Sequence, residues 1–189
     1  MNNGYLEELL HELGLITTKV QAEFGRLSAD QLNWKPSADS WSIAQCLDHL
    51  ITTNRQYFPI YSAVSNGRKK KTFWESLPVL PGLWGQLIRR GTDPTSVKKL
   101  KAPAKFRPAT SNLPASIVAN FGQHQQELTK LLTATDAVDH QKVMVTSPIS
   151  NIITYSLKDC VLICVLHEER HFMQARRVLK QDNFPLNLA

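Results

Sequence analysis

The chain has few of the residues that cross-link a protein or carry it across a membrane. Its 189 residues hold three cysteines, Cys46, Cys160 and Cys164, at no ribbon or knuckle spacing. A sparse, odd set excludes a disulfide framework and points to a reducing cytoplasm. No apolar run approaches the roughly 18–20 residues of a spanning helix. The longest candidate covers residues 161–166, and no membrane partner is expected. Charged residues are only 20% of the chain against 42% hydrophobic ones, which excludes a disordered polyelectrolyte. The opening Met1-Asn2-Asn3-Gly4-Tyr5-Leu6-Glu7-Glu8 has neither a basic nor an apolar segment, so no signal peptide is expected. Internal repeats and low-complexity tracts are also missing. A chain of this length is expected to form one domain, 1–189, with enough material for a real core.

Charge is unevenly placed. The net charge is +6, yet eleven of the 22 Lys and Arg lie between residues 68 and 107, beside only Glu75 and Asp93. The rest of the chain is net acidic. The basic character thus belongs to one segment. The same stretch, 67–113, holds five of the ten prolines and reads as a long irregular crossover, with a short helix expected near 84–90. Phe73, Trp74, Leu77, Leu83, Trp84 and Phe106 are expected to hold it down. Three uses suit the cations: a solvated loop, an anion site for an acidic cosubstrate, or a nucleic-acid contact. No nucleic-acid fold accompanies the last, so that partner is not expected.

Helical periodicity accounts for most of what remains. Leu6, Leu9, Leu13, Ile16, Val20, Phe24 and Leu27 form one stripe and predict a first helix over 3–27. Ser28-Ala29-Asp30 punctuates it. A second helix, 41–66, carries Ile43, Leu47, Leu50, Asn54, Tyr57 and Tyr61, and stops at Asn66-Gly67. A third starts at Pro114 and runs to 132 with Ile117, Phe121, His124, Leu128 and Leu131 on its stripe. A second connection, 133–155, contains a short extended stretch at 143–145. The fourth helix, 156–180, is capped by Ser156 and presents Leu157, Cys160, Cys164, His167, His171, Gln174 and Val178 as an inner seam. The fold class is all-α, a four-helix bundle with one long crossover between helices two and three.

The seam carries the chemistry. His167 and His171 are four residues apart, so both imidazoles lie on one face and can reach one ion. Two histidines in an apolar seam need partners for a donor and an acceptor each. A metal satisfies both; an exposed or hydrogen-bonded pair is the plain alternative. His49, mid-helix in the second element, offers a third imidazole, and three imidazoles with an open position make a reactive site. His167-Glu168-Glu169-Arg170-His171 also matches H-E-x-x-H, with Glu168 as base. That class needs a further ligand, usually downstream, where Asp182 is the lone carboxylate and no His or Glu follows, and a sheet before the helix, whereas this chain reads as all-helical. Glu168 instead is expected to pair with Arg170 or Arg176, or to point outward. Cys46 and Cys164 sit three residues before His49 and His167 and are expected to be small core residues. His124 is expected to be a hydrogen-bonded core residue, with contact to a bound ligand as the alternative. His11 and His140 read as surface or loop positions.

These residues also carry a resemblance. Leu32-Asn33-Trp34-Lys35-Pro36 followed by Trp41-Ser42-Ile43-Ala44-Gln45-Cys46-Leu47-Asp48-His49-Leu50 resembles the second-helix region of the DinB/YfiT-like superfamily. His167 to His171, followed by Phe172-Met173-Gln174-Ala175-Arg176-Arg177, is similar to its last-helix signature. The motifs occur in order across the chain, whereas 67–113 matches poorly. The resemblance implies an up-down-down-up four-helix bundle with a divalent metal (zinc, nickel or iron) on His49, His167 and His171. It implies a homodimer acting on a small-molecule substrate, through a thiol S-transferase or hydrolase reaction that can involve a low-molecular-weight thiol. The alternative is a non-enzymatic metal-binding stress or interaction protein, working through its dimer or basic loop surface.

Overall fold

The first stripe folds as read. In the computed structural model, which describes residues 2–77, 84–85, 87–88, 104–108 and 112–186, α1 spans Gly4–Phe24 and buries Leu6, Leu13, Ile16, Val20 and Phe24. Its end is followed by a short helix that periodicity did not reveal. Ser28 caps α2, Ala29–Asn33, and Gln31 closes a reciprocal capping box with it. The S-x-x-Q spacing carries that signal.

The expected second helix is two helices. α3 is Ile43–Arg55 and α4 is Phe58–Ser65. Pro59 explains the break, because it lacks an N–H and its ring crowds the carbonyl of Arg55 four residues back. The stop at Asn66-Gly67 holds, with Gly67 at a φ of 65°.

Of the crossover, residues 74–76 and 104–106 form 3-10 turns. Trp84, Gly85, Leu87 and Ile88 are helical; the remainder of the expected short helix, with Leu83, lies outside the described residues. Phe106 is buried, as an anchor should be, but Phe73 is 72% exposed and Trp74 38%. The buried Glu75 anchors that turn instead. Its carboxylate accepts from Lys69 Nζ at 2.7 Å, Thr72 N at 2.9 Å and Thr146 Oγ1 at 2.7 Å.

α5 covers Ile117–Ala134. Pro114 lies in the turn before it, its carbonyl accepting from Ile117 N at 3.0 Å, so the helix starts later than read. The extended stretch is a strand with an unforeseen partner. β1, Met144–Thr146, pairs antiparallel with β2, Thr154–Ser156, placing Val145 opposite Tyr155. α6, Leu157–Leu179, follows at once, capped by Ser156, whose Oγ accepts from Asp159 N at 3.0 Å.

The fold is mostly helical, with one small hairpin. α3 packs against α5 and α6, and α1 packs against the same two. One apolar cluster joins Leu47, Leu50, Phe121 and Phe172; another joins Leu6, Leu128, Val161 and Tyr61. Each such side chain stabilises the fold by about 1.5–3 kcal/mol on burial. No helix of the described residues is long and apolar enough to cross a membrane.

Candidate metal centre

His49 owes its position to a cap. Ser42 Oγ accepts from Gln45 N at 3.1 Å, and Gln45 Oε1 accepts from Ser42 N at 3.2 Å. This buried box fixes where α3 begins, and His49 follows two turns later on the face turned to α6. His167 and His171 project from α6 toward it.

The three rings converge. Ligand atoms of His49, His167 and His171 all lie within 4.8 Å of one another. His49 Nε2 and His167 Nε2 are 3.2 Å apart. Two nitrogens bound at about 2.0–2.1 Å with tetrahedral angles stand about 3.3 Å apart. The ring planes are mutually steep: 68° for His49 with His167, 68° for His49 with His171 and 77° for His167 with His171. Trp41 stacks on His171 at 5.5 Å and lies 4.8 Å from His49, covering one side.

Electrostatics keep these imidazoles neutral. Burial, with help from His49 and Arg170, pulls His167 down to about 3. Burial also holds His171 well below the usual histidine range, and His167, His49 and Arg170 push the same way. Burial lowers His49 against the opposing effect of the Phe106 carbonyl. Neutral imidazole is the form that donates a lone pair to a cation. His171 Nδ1 is buried with no hydrogen-bond partner among the described residues, a cost that a bonded neighbour would remove. The donor set, the spacing and this orphaned nitrogen all fit a divalent ion.

A family model described as the DinB superfamily matches residues 15–175. The chain belongs to the DinB superfamily. No curated protein and no solved structure matches it.

Other candidates of this DinB chain lie apart from the three imidazoles. Glu168 is not among the converging donors. It neither points outward nor pairs as expected: Arg176 instead donates to Glu23 at 2.8 Å. Glu168 is fully buried and accepts from Asn54 Nδ2 at 2.5 Å. Burial pushes its carboxyl up to about 7, against the lowering influence of the Gln125 and Asn54 amides. Asn54 was visible on the apolar stripe as a polar residue out of place; nothing in the pattern named its partner.

The cysteines are core residues. Cys46 is fully buried, its thiol pushed up to about 12 by burial. Cys164 Sγ lies 3.6 Å from Asn54 Oδ1, to which it donates. His124 is buried and stacks on Phe58 at 5.1 Å, but neither ring nitrogen has a hydrogen-bond partner among the described residues, unlike the bonded core histidine expected. His140 lies in a turn, as the loop reading expected, but not at the surface. It is fully buried, with Nδ1 facing Tyr5 OH at 2.5 Å and Nε2 donating to the Thr135 carbonyl at 2.9 Å. His11 is exposed, as read.

The basic segment presents Arg68, Lys70, Lys71, Lys105 and Arg107 to solvent, while Lys69 is tied to Glu75. Arg89, Arg90, Lys98, Lys99 and Lys101 lie outside the described residues. Trp41 and Phe106 are the site neighbours that sequence reasoning missed. Trp41 sat inside the quoted motif, and Phe106 read as an anchor of the crossover with nothing local to tie it to His49.

Proposed function

We propose that this DinB protein is a metal-dependent enzyme that transfers a low-molecular-weight thiol to a small electrophilic substrate. His49, His167 and His171 hold the cation. The observation that carries the reading is the convergence of three neutral imidazoles without a carboxylate among the described donors. A divalent ion there supplies the acidity that makes a thiol or a water nucleophilic at neutral pH. Three imidazoles suit zinc, nickel or iron. The frame is a four-helix bundle, running up-down-down-up, of α1, α3 continued by α4, α5 and α6; their mutual packing supports it. We read the assembly as a homodimer in the cytoplasm.

The chain's own residues favour thiol transfer over hydrolysis. A hydrolase uses a general base beside its water. Glu168 is engaged by Asn54 and is not one of the converging donors. A thiol has a lower pKa than water and depends less on such a base. Trp41 walls one side with an aromatic face, suited to an apolar electrophile.

The test is a cobalt-substituted protein titrated with glutathione, bacillithiol and mycothiol. A saturable change in the visible spectrum with one of them is the expected result, followed by turnover with an electrophile. Ester or amide hydrolysis with no response to any thiol would move the reading to a hydrolase. Silence in both assays would leave a non-enzymatic metal-binding protein.

A further inference from the structure

The Phe106 carbonyl accepts from His49 Nδ1 at 2.5 Å. A carbonyl oxygen can only accept, so Nδ1 carries the proton. His49 Nε2 is therefore the bare lone pair, and it faces His167 Nε2 at 3.2 Å. Thr53 Oγ1 is a weaker neighbour of the same Nδ1 at 3.4 Å. Phe106 itself is only 3% exposed, and its 3-10 turn packs on α3. A buried aromatic side chain thus pins a main-chain oxygen against an imidazole 57 positions away in sequence.

We infer that Phe106 is a positioning residue of the cation site: its buried ring delivers the carbonyl that fixes the tautomer and aim of His49, and so makes cation affinity depend on the crossover. The inference rests on the three-histidine reading for its affinity arm alone. In the cation-free protein the same bond leaves His167 Nε2 as the donor in the contact with His49 Nε2. Cation binding then requires His167 to carry its proton on Nδ1 instead. Partners of this kind, one bond beyond the ligands, set imidazole orientation and typically change metal affinity by about 10–100-fold when lost.

The experiment compares Phe106→Ala, Phe106→Leu and Thr53→Ala in the full chain. Zinc affinity is measured by competition, and the His49 ring nitrogens are followed by heteronuclear NMR of the zinc-free protein. Phe106→Ala should weaken zinc by about 10–100-fold and turn the single Nδ1–H tautomer of His49 into a mixture. Phe106→Leu should recover most of both, and Thr53→Ala should change neither. An unchanged His49 signature and affinity in Phe106→Ala would overturn the inference. If Phe106→Ala does not fold, a shifted His49 tautomer in Thr53→Ala overturns it, because the hydroxyl would then be the orienting group. A wild-type protein that binds neither zinc, nickel nor iron yet shows the fixed tautomer would defeat the proposed function and leave the carbonyl's role standing.

Discussion

His124 and His140 are both buried, yet their ring nitrogens fare differently. His140 has Tyr5 and the Thr135 carbonyl. His124 stacks on Phe58, and neither of its ring nitrogens has a hydrogen-bond partner among the described residues. Burial, with Arg55 adding to it, lowers His124 from 6.5 to about 4. Its folded value lies below its unfolded one, so the unfolded chain takes up the proton first as pH falls. The associated stability is present above 6.5 and is lost as pH falls toward 4. His124→Leu should therefore be more stable than wild type by about 1 kcal/mol at neutral pH, by removing unpaired polar atoms. The gap should widen by roughly 3 kcal/mol across the acid window. Urea unfolding of both proteins at several pH values checks it; a gap that does not change with pH would count against this account of the site. Periodicity placed His124 on a buried face. It could not say which polar atoms would meet it, because partners come from other elements.

At the scale of elements, the sequence was most legible where one residue type has one physical effect. Stripes of Leu, Ile and Phe marked α1 and α5 within a few residues, and the seam from Leu157 through Cys160, Cys164, His167 and His171 to Val178 marked α6. Ser156 marked a start and Gly67 a stop. Pro59 breaks the expected second helix although Tyr57 and Tyr61 continue its stripe across the break. The hairpin was half seen, since three-residue strands carry too little pattern to declare a partner. Ser42 is the element-scale residue with consequences for the site. Its cap begins α3, the helix that carries His49. Ser42→Ala should cost about 1 kcal/mol of stability, the usual worth of such a cap. Ser42→Thr or Ser42→Asp should cost less, since each keeps an acceptor. Thermal melts of the three variants test this; equal losses would show that side-chain burial, not capping, is what matters there.

For the molecule as a whole, distant segments meet at one point. His49 lies 118 positions from its close neighbour His167, and packing of α3 on α6 brings them together. The sequence supplied the three histidines and the DinB resemblance, later matched over residues 15–175. It could not supply Trp41 as a wall or Phe106 as a support, since both depend on tertiary approach. The most direct test is elemental analysis of the purified protein after reconstitution with zinc, nickel or iron, with His49→Ala, His167→Ala and His171→Ala beside wild type. Wild type should hold about one equivalent, in keeping with one three-imidazole site, and each variant should lose it while its circular dichroism stays helical. Stoichiometric metal retained in all three variants, or none taken up by wild type, would contradict the assignment.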